Sequence, residues 1–472
     1  MTDYPQLYID GEWVDALEPG TITVVNPFTE QVVGTCASGG AADVDRAVRA
    51  ARAAFDDWSG RSPAERADVL RAFAAMLEKR LDEMAALLTA EVGAPLHLTR
   101  ERQVPGPIMQ LRLAADHAGE VLAPVTVGNS KVHRAPAGVV AAIAPWNFPL
   151  LLGMNKVAPA LAVGCTVVLK PSEITPLHAF LLAEIAHDAG LPPGVFNIVT
   201  GGGSVVGAAL SAHPDVDVVS LTGSTAAGRL VAAAAAGTIK KVHLELGGKS
   251  ASVVLADADL RTAVEATIEQ CFINSGQTCL AWSRLLVPAG SVDEAARIAA
   301  ERADRFVLGD PTVDTTELGP LVSEVQRERV RAAIERAESD GARLVAGGAA
   351  APDDQPGGYF VRPTVFADVA PNSDLGQEEV FGPVLAIMGY QDEDDAVAIA
   401  NGTKYGLHGA VFGADVDNAT RVARRLHTGA VDINGGALNL EAPFGGYKQS
   451  GVGRELGTWG LEEYTEVTSL QY

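Results

Sequence analysis

The feature that most constrains the fold is an alternation of short apolar runs with amphipathic segments that begins at Gly138. The apolar runs predict strands buried on both faces, because a half-exposed strand would alternate apolar with polar residues. Strands separated by helices form parallel sheets that helices cover on both sides. The predicted strands form a first series at 139–143, 166–169, 196–199, 216–221 and 241–244 and a second at 252–255, 283–287, 384–388, 410–412 and 430–433. The pattern therefore predicts two α/β domains.

The segment before this alternation has a different character. Residues 1–40 predict short strands separated by Gly and Pro turns, and helices are expected over 42–58 and 62–92. The second helix opens with Ser62-Pro-Ala-Glu65, which supplies a cap, a first-turn proline and a first-turn acid. The β-prone and turn residues between Gly119 and Ala135 interrupt the helical pattern. We expect an excursion from the domain there.

Bulk properties exclude several classes of protein. The chain has 472 residues, and a single core stops growing beyond roughly 250–300 residues, so more than one domain is expected. Its 36 basic and 59 acidic residues give a net charge of −23, which argues against a nucleic-acid or anionic-membrane partner. The sequence contains no apolar run of about 18 residues that could span a membrane, and its first residues do not resemble a secretory signal.

The cysteines predict a reducing compartment. They lie in scattered contexts, without a CxxC motif or the histidine spacing of zinc sites, which predicts a cytoplasmic protein without a metal site. The four positions are Cys36, Cys165, Cys271 and Cys279.

Cys279 is the candidate nucleophile among them. It closes the stretch Cys271-Phe-Ile-Asn-Ser-Gly-Gln-Thr-Cys279, in which Gly276 allows a sharp turn that can bring a thiol close to a substrate. The alternative is a structural role, because a free cysteine usually behaves as a small buried hydrophobe. Residues elsewhere in the chain favour the functional interpretation.

Glycine-rich turns follow two of the predicted strands. They are Thr200-Gly-Gly-Gly203 and Leu221-Thr-Gly-Ser-Thr-Ala-Ala-Gly228. A glycine turn that enters a helix presents free N–H groups and the positive end of the helix dipole, which suits a pyrophosphate. Neither turn has the G-x-G-x-x-G spacing, and Gly223 and Ser224 are equally consistent with an ordinary helix cap.

A third turn places two opposite charges at the end of a strand. Lys170 and Glu173 lie three residues apart in Leu169-Lys-Pro-Ser-Glu173, where open parallel sheets bind ligands. These side chains could hold ribose hydroxyls. A solvated ion pair is the alternative.

Seven motifs in order resemble the NAD(P)-dependent aldehyde dehydrogenase superfamily over essentially the whole chain. One departure is Leu221, which stands where the family usually has Phe. The motifs are Ala144-Pro-Trp-Asn147-Phe-Pro, Lys170-Pro-Ser-Glu173, Leu221-Thr-Gly-Ser224, His243-Leu-Glu245-Leu-Gly-Gly-Lys249, Gly276-Gln-Thr-Cys279, Glu379-Val-Phe381-Gly-Pro and Pro443-Phe-Gly-Gly-Tyr-Lys-Gln-Ser-Gly-Val-Gly-Arg-Glu455.

The resemblance implies a catalytic role for five residues. Cys279 would add to the aldehyde as a thiohemiacetal, and Asn147 together with the Cys279 backbone N–H would stabilise the oxyanion. Glu245 would be the general base that hydrolyses the thioester, while Lys156 and Glu455 would line a proton exit. Taken singly, Asn147 could be a turn residue, Glu245 an acid at a strand end, and the other two ordinary surface charges.

The resemblance also implies a cofactor site. Trp146, Gly223 and Ser224 would lie near the pyrophosphate, and Lys170 and Glu173 beside the adenosine ribose. Glu379 and Phe381 would contact the nicotinamide ribose and ring, although Phe381 could be a core aromatic. The expected cofactor is NAD, with NADP as a weaker alternative, because the Glu173 carboxylate would repel a 2′-phosphate.

By the same analogy the fold is α/β, with a Rossmann-like cofactor domain at 1–112 and 137–247 and a catalytic domain at 248–449. Residues 113–136 and the tail 450–472 would form a β oligomerisation arm, which predicts a homodimer or homotetramer.

Two other functions remain open. An inactive relative could keep this fold as a binding protein, since fold does not determine function. A coenzyme A-acylating enzyme is a further alternative, which an acid at Glu245 disfavours. The resemblance further implies that a small aldehyde enters past residues near 109–112, 148–151, 280 and 438–440. These residues are mostly apolar, and Arg112 among them leaves a carboxylated semialdehyde open.

Overall fold

The computed structural model describes residues 2–355 and 357–472. The strands are β1 (Thr2–Tyr4), β2 (Leu7–Ile9), β3 (Glu12–Val14), β4 (Thr21–Val25), β5 (Val32–Ala37), β6 (Val125–Val127), β7 (Ser130–Pro136), β8 (Val139–Ile143), β9 (Thr166–Lys170), β10 (Phe196–Ile198), β11 (Val218–Thr222), β12 (Lys241–Glu245), β13 (Ala251–Val254), β14 (Arg284–Pro288), β15 (Arg343–Ala346), β16 (Thr364–Ala367), β17 (Val384–Tyr390), β18 (Gly409–Phe412), β19 (Asp432–Ile433), β20 (Gly451–Val452) and β21 (Thr465–Gln471).

The α-helices surround these strands. They are α1 (Ala41–Gly60), α2 (Pro63–Lys79), α3 (Leu81–Val92), α4 (Leu96–Leu98), α5 (Pro105–Val121), α6 (Pro149–Val163), α7 (Leu177–Asp188), α8 (Ala208–Ala212), α9 (Thr225–Ala235), α10 (Leu260–Phe272), α11 (Val292–Ala303), α12 (Glu324–Ser339), α13 (Asp374–Gln377), α14 (Glu393–Asn401), α15 (Val416–Ala423) and α16 (Gly457–Glu462). None of the described helices combines the length and the apolar character needed to cross a membrane.

The first large sheet has the strand order β20-β12-β11-β8-β9-β10-β2-β3. Its strands from β12 to β10 are parallel, and antiparallel strands close both edges. The chain runs outward from β8 through β9 to β10 and then resumes on the other side of β8 with β11. The direction of winding therefore reverses between β8 and β11, and ligands of open α/β sheets bind beyond the strand ends at such a point.

Both faces of this sheet are buried, as the continuous apolar strands predict. Val140 and Ala142 of β8 pack into one hydrophobic cluster, whereas Val139, Ala141 and Ile143 pack into the cluster on the opposite face. This alternation follows from the two-residue period of a strand. The sheet is therefore a rigid platform for the loops at its carboxyl edge.

The second large sheet has the order β15-β16-β17-β14-β13-β18-β19 and is parallel apart from the β15–β16 pair. Two separate clusters of buried residues cover its faces. The prediction of mixed α/β architecture is confirmed, and the predicted strands include every parallel strand of the two large sheets except β16.

Two details of the predicted elements are wrong. The helix expected over 62–92 is two helices, because Arg80 leaves the helical region (φ −104°, ψ 22°) while its guanidinium bonds Glu83 and Glu184. Strands β15, β16 and β20 lie where no strand was predicted. β20 is a two-residue strand between glycines that joins the first sheet by pairing with β12, which local sequence does not reveal.

A three-stranded antiparallel sheet, β21-β7-β6, joins the predicted excursion to the chain terminus. β7 pairs with β21 from Pro136↔Thr465 to Ser130↔Gln471. Residues 113–121 of the predicted excursion lie in α5, and its strands begin only at Val125. We call the β6–β7–β21 sheet the arm. A separate small sheet contains β1, β5 and β4.

Candidate active site

The candidate site lies where the carboxyl edge of the first sheet meets the loop that follows α10. Asn147 follows β8 and Gly223 follows β11, so both are at the reversal of winding. The Asn147 side chain donates from Nδ2 to the Gln277 carbonyl at 2.9 Å, and Asn274 Nδ2 donates to the Asn147 carbonyl at 3.1 Å. These bonds join the turn after β8 directly to the loop that carries Cys279.

The loop before Cys279 has an unusual backbone. After α10 ends, Asn274 and Ser275 adopt positive φ values of 52° and 56°, and Gly276 has φ of 73°. A Cβ at Gly276 would lie 2.1 Å from the Gly382 carbonyl oxygen, so only glycine allows this close approach. Strained non-glycine conformations persist only where surrounding contacts impose them.

Those contacts come from the second domain. Gln277 accepts the Val322 N–H through Oε1 at 2.9 Å and donates to the Asn274 carbonyl at 3.1 Å. The Ser275 hydroxyl donates to the Gly319 carbonyl at 2.7 Å. The loop is thereby fixed on both sides of the turn, and with it the position of Cys279.

Cys279 differs from the other cysteines in its access to solvent. It is partly exposed, whereas Cys36, Cys165 and Cys271 are buried. Burial, followed by the charges of Glu379 and Glu245, raises the pKa of the Cys279 thiol. The thiol is therefore protonated at neutral pH, and a nucleophilic role requires a group that removes its proton.

Glu245 is an acid without a partner. It ends β12, its side chain is buried, and neither carboxylate oxygen has a hydrogen-bond partner within the described part of the chain. Burial, followed by the charge of Glu455, raises its pKa well above the ordinary value. An unpaired buried carboxylate with a raised pKa takes up a proton more readily than an ordinary glutamate, as a general base must.

Lys156 and Glu455 form a buried ion pair. Lys156 Nζ lies 2.6 Å from Glu455 Oε1 and also donates to the Thr222 hydroxyl at 2.6 Å. Asn155 donates to the other Glu455 oxygen at 2.7 Å. Burial alone would raise the pKa of Glu455, but Lys156 and His243 hold it below its ordinary value. The two residues are brought together as predicted, and they are not surface charges.

Lys170 and Glu173 meet at the end of β9. Lys170 Nζ donates to Glu173 Oε2 at 2.9 Å, and the Gly203 N–H donates to Glu173 Oε1 at 3.3 Å. Burial favours a raised pKa, but Lys170 holds the pKa of Glu173 below its ordinary value. The Lys170 side chain is almost fully buried while that of Glu173 is 46% exposed. The carboxylate can therefore accept a hydrogen bond from a ligand hydroxyl.

Gly223 and Ser224 form the entry to helix α9. Ser224 is the N-cap, and its hydroxyl accepts the Ala227 N–H at 3.2 Å. Ser224 therefore has the helix-capping role that the sequence left open as an alternative. This role is compatible with cofactor binding, because the N-terminus of α9 faces the point where the winding of the sheet reverses.

Glu379 and Phe381 bracket the other side of the site. Glu379 accepts the Gly248 N–H at 2.9 Å, and burial raises its pKa to about 7. Phe381 has φ of 60° and its ring meets that of Trp146 edge to face, with centroids 5.3 Å apart. Phe381 is partly exposed, so it is not a plain core aromatic.

Several residues of the site carry no sequence signal of their own. Asn274 and Gln277 act by bracing the Cys279 loop, and only their nearness to Cys279 could have singled them out. His243 lies two residues before Glu245 on β12, so both side chains point to one face of the strand. No group of three or more His, Cys, Asp or Glu side chains in residues 2–355 and 357–472 could hold a metal ion.

Arg112 lies near the expected substrate entrance and has a partner in the same chain. Arg112 is paired with Glu78 at 2.7 Å and lies at the protein surface. Met109 is 45% and Leu438 is 49% exposed. The guanidinium of Arg112 is thus already engaged by a carboxylate of the same chain.

Comparisons with known proteins agree with this geometry. A model of the aldehyde dehydrogenase family matches residues 13–470. A 3-succinoylsemialdehyde-pyridine dehydrogenase from a Pseudomonas species is 48% identical over 471 residues, covering 100% of this chain and 99% of the relative.

Solved structures superpose closely. One is a cysteine-to-alanine variant of aldehyde dehydrogenase C from Pseudomonas syringae, crystallised with NAD+ and octanal, at a TM-score of 0.97 and 48% identity over 99% of this chain and 96% of that chain. Another is a Mycobacterium tuberculosis aldehyde dehydrogenase complexed with NAD+, at a TM-score of 0.97 and 42% identity over 100% of this chain and 98% of that chain. With the fold, the order of its motifs and these relatives in agreement, the chain belongs to the aldehyde dehydrogenase family.

Proposed function

We propose that the chain oxidises an aldehyde to the free acid with Cys279 as the nucleophile and Glu245 as the base that hydrolyses the acyl-enzyme. The observation that carries this proposal is the contact between the turn after β8 and the loop that bears Cys279. Asn147 in that turn donates to the carbonyl of Gln277 at 2.9 Å, and Gln277 lies two residues before the partly exposed thiol of Cys279. The unpartnered acid Glu245 ends β12 of the sheet that contains β8.

The chemistry assigns a step to each group. The Cys279 sulfur bonds the carbonyl carbon while the thiol proton passes to a base, and the Asn147 amide, with the Cys279 N–H, stabilises the resulting oxyanion. NAD, when bound, supplies the hydride acceptor that turns this adduct into a thioester. Glu245 then removes a proton from water, the water oxygen bonds the acyl carbon, and the carbon–sulfur bond breaks to release the acid and the protonated thiol.

Lys156 and Glu455 serve the return of protons to solvent. Both contribute to the electrostatic field at Glu245: Glu455 favours its protonated form and Lys156 opposes that effect. Because they are linked to each other at 2.6 Å and bonded to Thr222 and Asn155, they form a connected polar path behind the base. This arrangement supports a role in proton exit.

We assign NAD as the cofactor. Two close relatives were crystallised with NAD+. The half-exposed Glu173 beside Lys170 suits hydroxyls of the adenosine ribose, because a carboxylate accepts hydrogen bonds from hydroxyl groups. NADP is the weaker alternative, because its 2′-phosphate would face the same carboxylate.

We assign the remaining cofactor contacts to residues on either side of the point where the winding of the first sheet reverses. Gly223, Ser224 and Trp146 suit the pyrophosphate, since the N-terminus of α9 carries a positive dipole end. Glu379 and Phe381 suit the nicotinamide ribose and ring. The positive φ of Phe381 and its contact with Trp146 support a role beyond core packing.

The substrate we propose is an aldehyde with an apolar body. The Pseudomonas syringae relative was crystallised with octanal. Arg112, near the expected entrance, lies in an exposed ion pair with Glu78, and a substrate with an apolar body does not require it.

We propose a homodimer or homotetramer assembled through the arm. Its strands expose apolar side chains that a second copy could cover, and open strand edges invite pairing across subunits. These side chains are Val125, Val127, Val467 and Leu470. A cytoplasmic location is supported by the four cysteines, which are all free thiols. The domain division at 1–112 with 137–247, 248–449 and the arm with the tail stays a proposal.

The test replaces the nucleophile. Cys279→Ala should abolish NADH formation from octanal while NAD binding, followed by quenching of tryptophan fluorescence, stays near that of the wild type. Cys271→Ala is the matched control, because that thiol is fully buried eight residues away in sequence and should leave turnover largely intact. Substantial turnover by Cys279→Ala would contradict the proposal.

A further inference from the structure

His243 is a buried histidine that faces the proposed base. Its side chain is 2% exposed, and Nε2 has no hydrogen-bond partner in the described residues. Nε2 lies 3.8 Å from Glu245 Oε1, and both Glu245 oxygens lack partners. A rotation of the carboxylate that shortened this gap by less than 1 Å would satisfy both residues at once.

The other ring nitrogen of His243 has a hydroxyl neighbour. Tyr464 donates its hydroxyl proton to Ser220 Oγ at 3.2 Å, and Ser220 Oγ lies 3.1 Å from His243 Nδ1. The Ser220 hydroxyl keeps its own proton to donate to Nδ1. In the tautomer that accepts this proton at Nδ1, the ring proton sits on Nε2, the nitrogen that faces Glu245.

The ring is held in this orientation by the backbone. Ser220 and His243 are paired across β11 and β12, so their side chains lie side by side on one face. On the other side, a Cβ at Gly453 would lie 2.3 Å from the ring carbon Cδ2. The sheet and the tight packing of Gly453 leave the imidazole little freedom to turn.

The ring is neutral at physiological pH. Burial, only partly offset by Glu455, lowers the pKa of His243 to about 4. The other charged groups that act on this cluster are Lys156, Arg454 and Glu463, and Tyr464 stacks edge to face on the ring. A neutral Nε2–H is a hydrogen-bond donor that carries no net charge.

We infer that His243 is a positioning residue whose Nε2–H donates to Glu245 and stabilises the ionised form of this carboxylate during thioester hydrolysis. A donor to a carboxylate favours its charged form. The burial of Glu245 and the nearby Glu455 act in the opposite direction. His243 would thus oppose these effects and favour the ionised form of the base. The inference rests on the proposed role of Glu245.

The test measures hydrolysis of the acyl-enzyme across pH. Enzyme loaded with NAD and octanal is quenched at intervals, and the acylated fraction of Cys279 is followed by mass spectrometry. In His243→Leu, which is similar in size but has no donor, the acid limb of the hydrolysis rate should move up by about one pH unit, which is about tenfold slower hydrolysis on that limb. His243→Gln, which keeps a donor, should restore most of the wild-type profile.

A smaller substitution guards against misfolding of these variants. Ser220→Ala removes the hydroxyl that directs the proton to Nε2 and should shift the limb in the same direction by a smaller amount. Ser252→Ala is the matched control, because it also removes a buried serine hydroxyl, in this case from a strand of the second sheet. The Ser252 hydroxyl lies 2.8 Å from that of Thr267. Its profile should overlay that of the wild type.

Three outcomes would overturn the inference. The acid limb of the hydrolysis profile could stay at the wild-type pH in His243→Leu, or it could shift equally in His243→Leu and His243→Gln. The third outcome is a Ser220→Ala profile that overlays that of the wild type. Failure of the underlying base assignment is distinguishable. It would appear as normal acyl-enzyme hydrolysis in Glu245→Gln, whatever the His243 variants do.

Discussion

Two lysine–glutamate pairs in this enzyme have nearly the same length but different surroundings. Lys156 and Glu455 are 2.6 Å apart and both are fully buried, whereas Lys170 and Glu173 are 2.9 Å apart and Glu173 is 46% exposed. In the first pair, removal of either residue would leave the other charge buried without a counter-charge, which strongly destabilises a folded protein. The second pair leaves the Glu173 carboxylate in contact with solvent, where a ligand hydroxyl could reach it. The comparison sets a buried pair that the fold must keep intact beside an exposed pair that suits the ribose site we propose.

The largest expected effect comes from breaking the buried pair. Glu455→Gln keeps the size of the side chain but leaves the Lys156 ammonium buried without a counter-charge. We expect a loss of about 3–5 kcal/mol in the free energy of unfolding, measured by denaturant titration, together with a lower melting temperature. A variant as stable as the wild type would show that water or another group compensates Lys156.

The pH dependence of that loss sharpens the comparison. The folded-state pKa of Glu455 lies below its ordinary value of 4.5. Its contribution to stability is therefore complete above about pH 4.5 and disappears as the pH falls through the lower folded value. The stability gap between wild type and Glu455→Gln should therefore narrow as the pH falls below about 4.5. A gap that narrows already between pH 8 and 6 would contradict the direction of the shift.

The exposed Lys170–Glu173 pair should determine the preference between NAD and NADP. Wild type should prefer NAD over NADP by about tenfold or more in kcat/KM, which corresponds to at least about 1.4 kcal/mol. Glu173→Ala removes the charge that faces a 2′-phosphate and should raise the relative use of NADP. Steady-state assays with both cofactors measure the ratio. A wild-type preference for NADP, or a ratio that does not move, would remove Glu173 from the ribose site.

The smallest expected effect is the change in protein stability when the exposed pair is broken. Glu173→Gln should change the free energy of unfolding by less than about 1 kcal/mol, because a solvated ion pair contributes little. The matched substitution at Glu455 under identical conditions is the reference. Equal losses at the two positions would contradict the distinction drawn from burial.

Much of the fold was predictable because central parallel strands carry continuous apolar runs. The runs at β8, β9 and β11 are buried throughout, and each was found within two residues of its bounds. The break at Arg80 and the strand β20 were not predictable, since both depend on partners distant in sequence, Glu184 and β12.

The candidate site could also be predicted in part from the sequence. Ordered motifs predicted Cys279, Glu245 and Asn147 as site residues, but the sequence carries no sign that Lys156 and Glu455 are buried or that Glu245 lacks a partner. These properties arise only when β12 and the segment after β20 pack together. His243 had no signal because its significance depends on Ser220 and Tyr464, which come from other elements.

The central claim is that Glu245 hydrolyses a thioester on Cys279, and Glu245→Gln tests it most directly. Glutamine keeps the size and polarity of the side chain but cannot accept the proton from water. After addition of NAD and octanal, mass spectrometry of the intact variant should show an octanoyl adduct on Cys279 that persists, after a single burst of NADH. Free octanoic acid formed at the wild-type rate without an accumulating adduct would contradict the account.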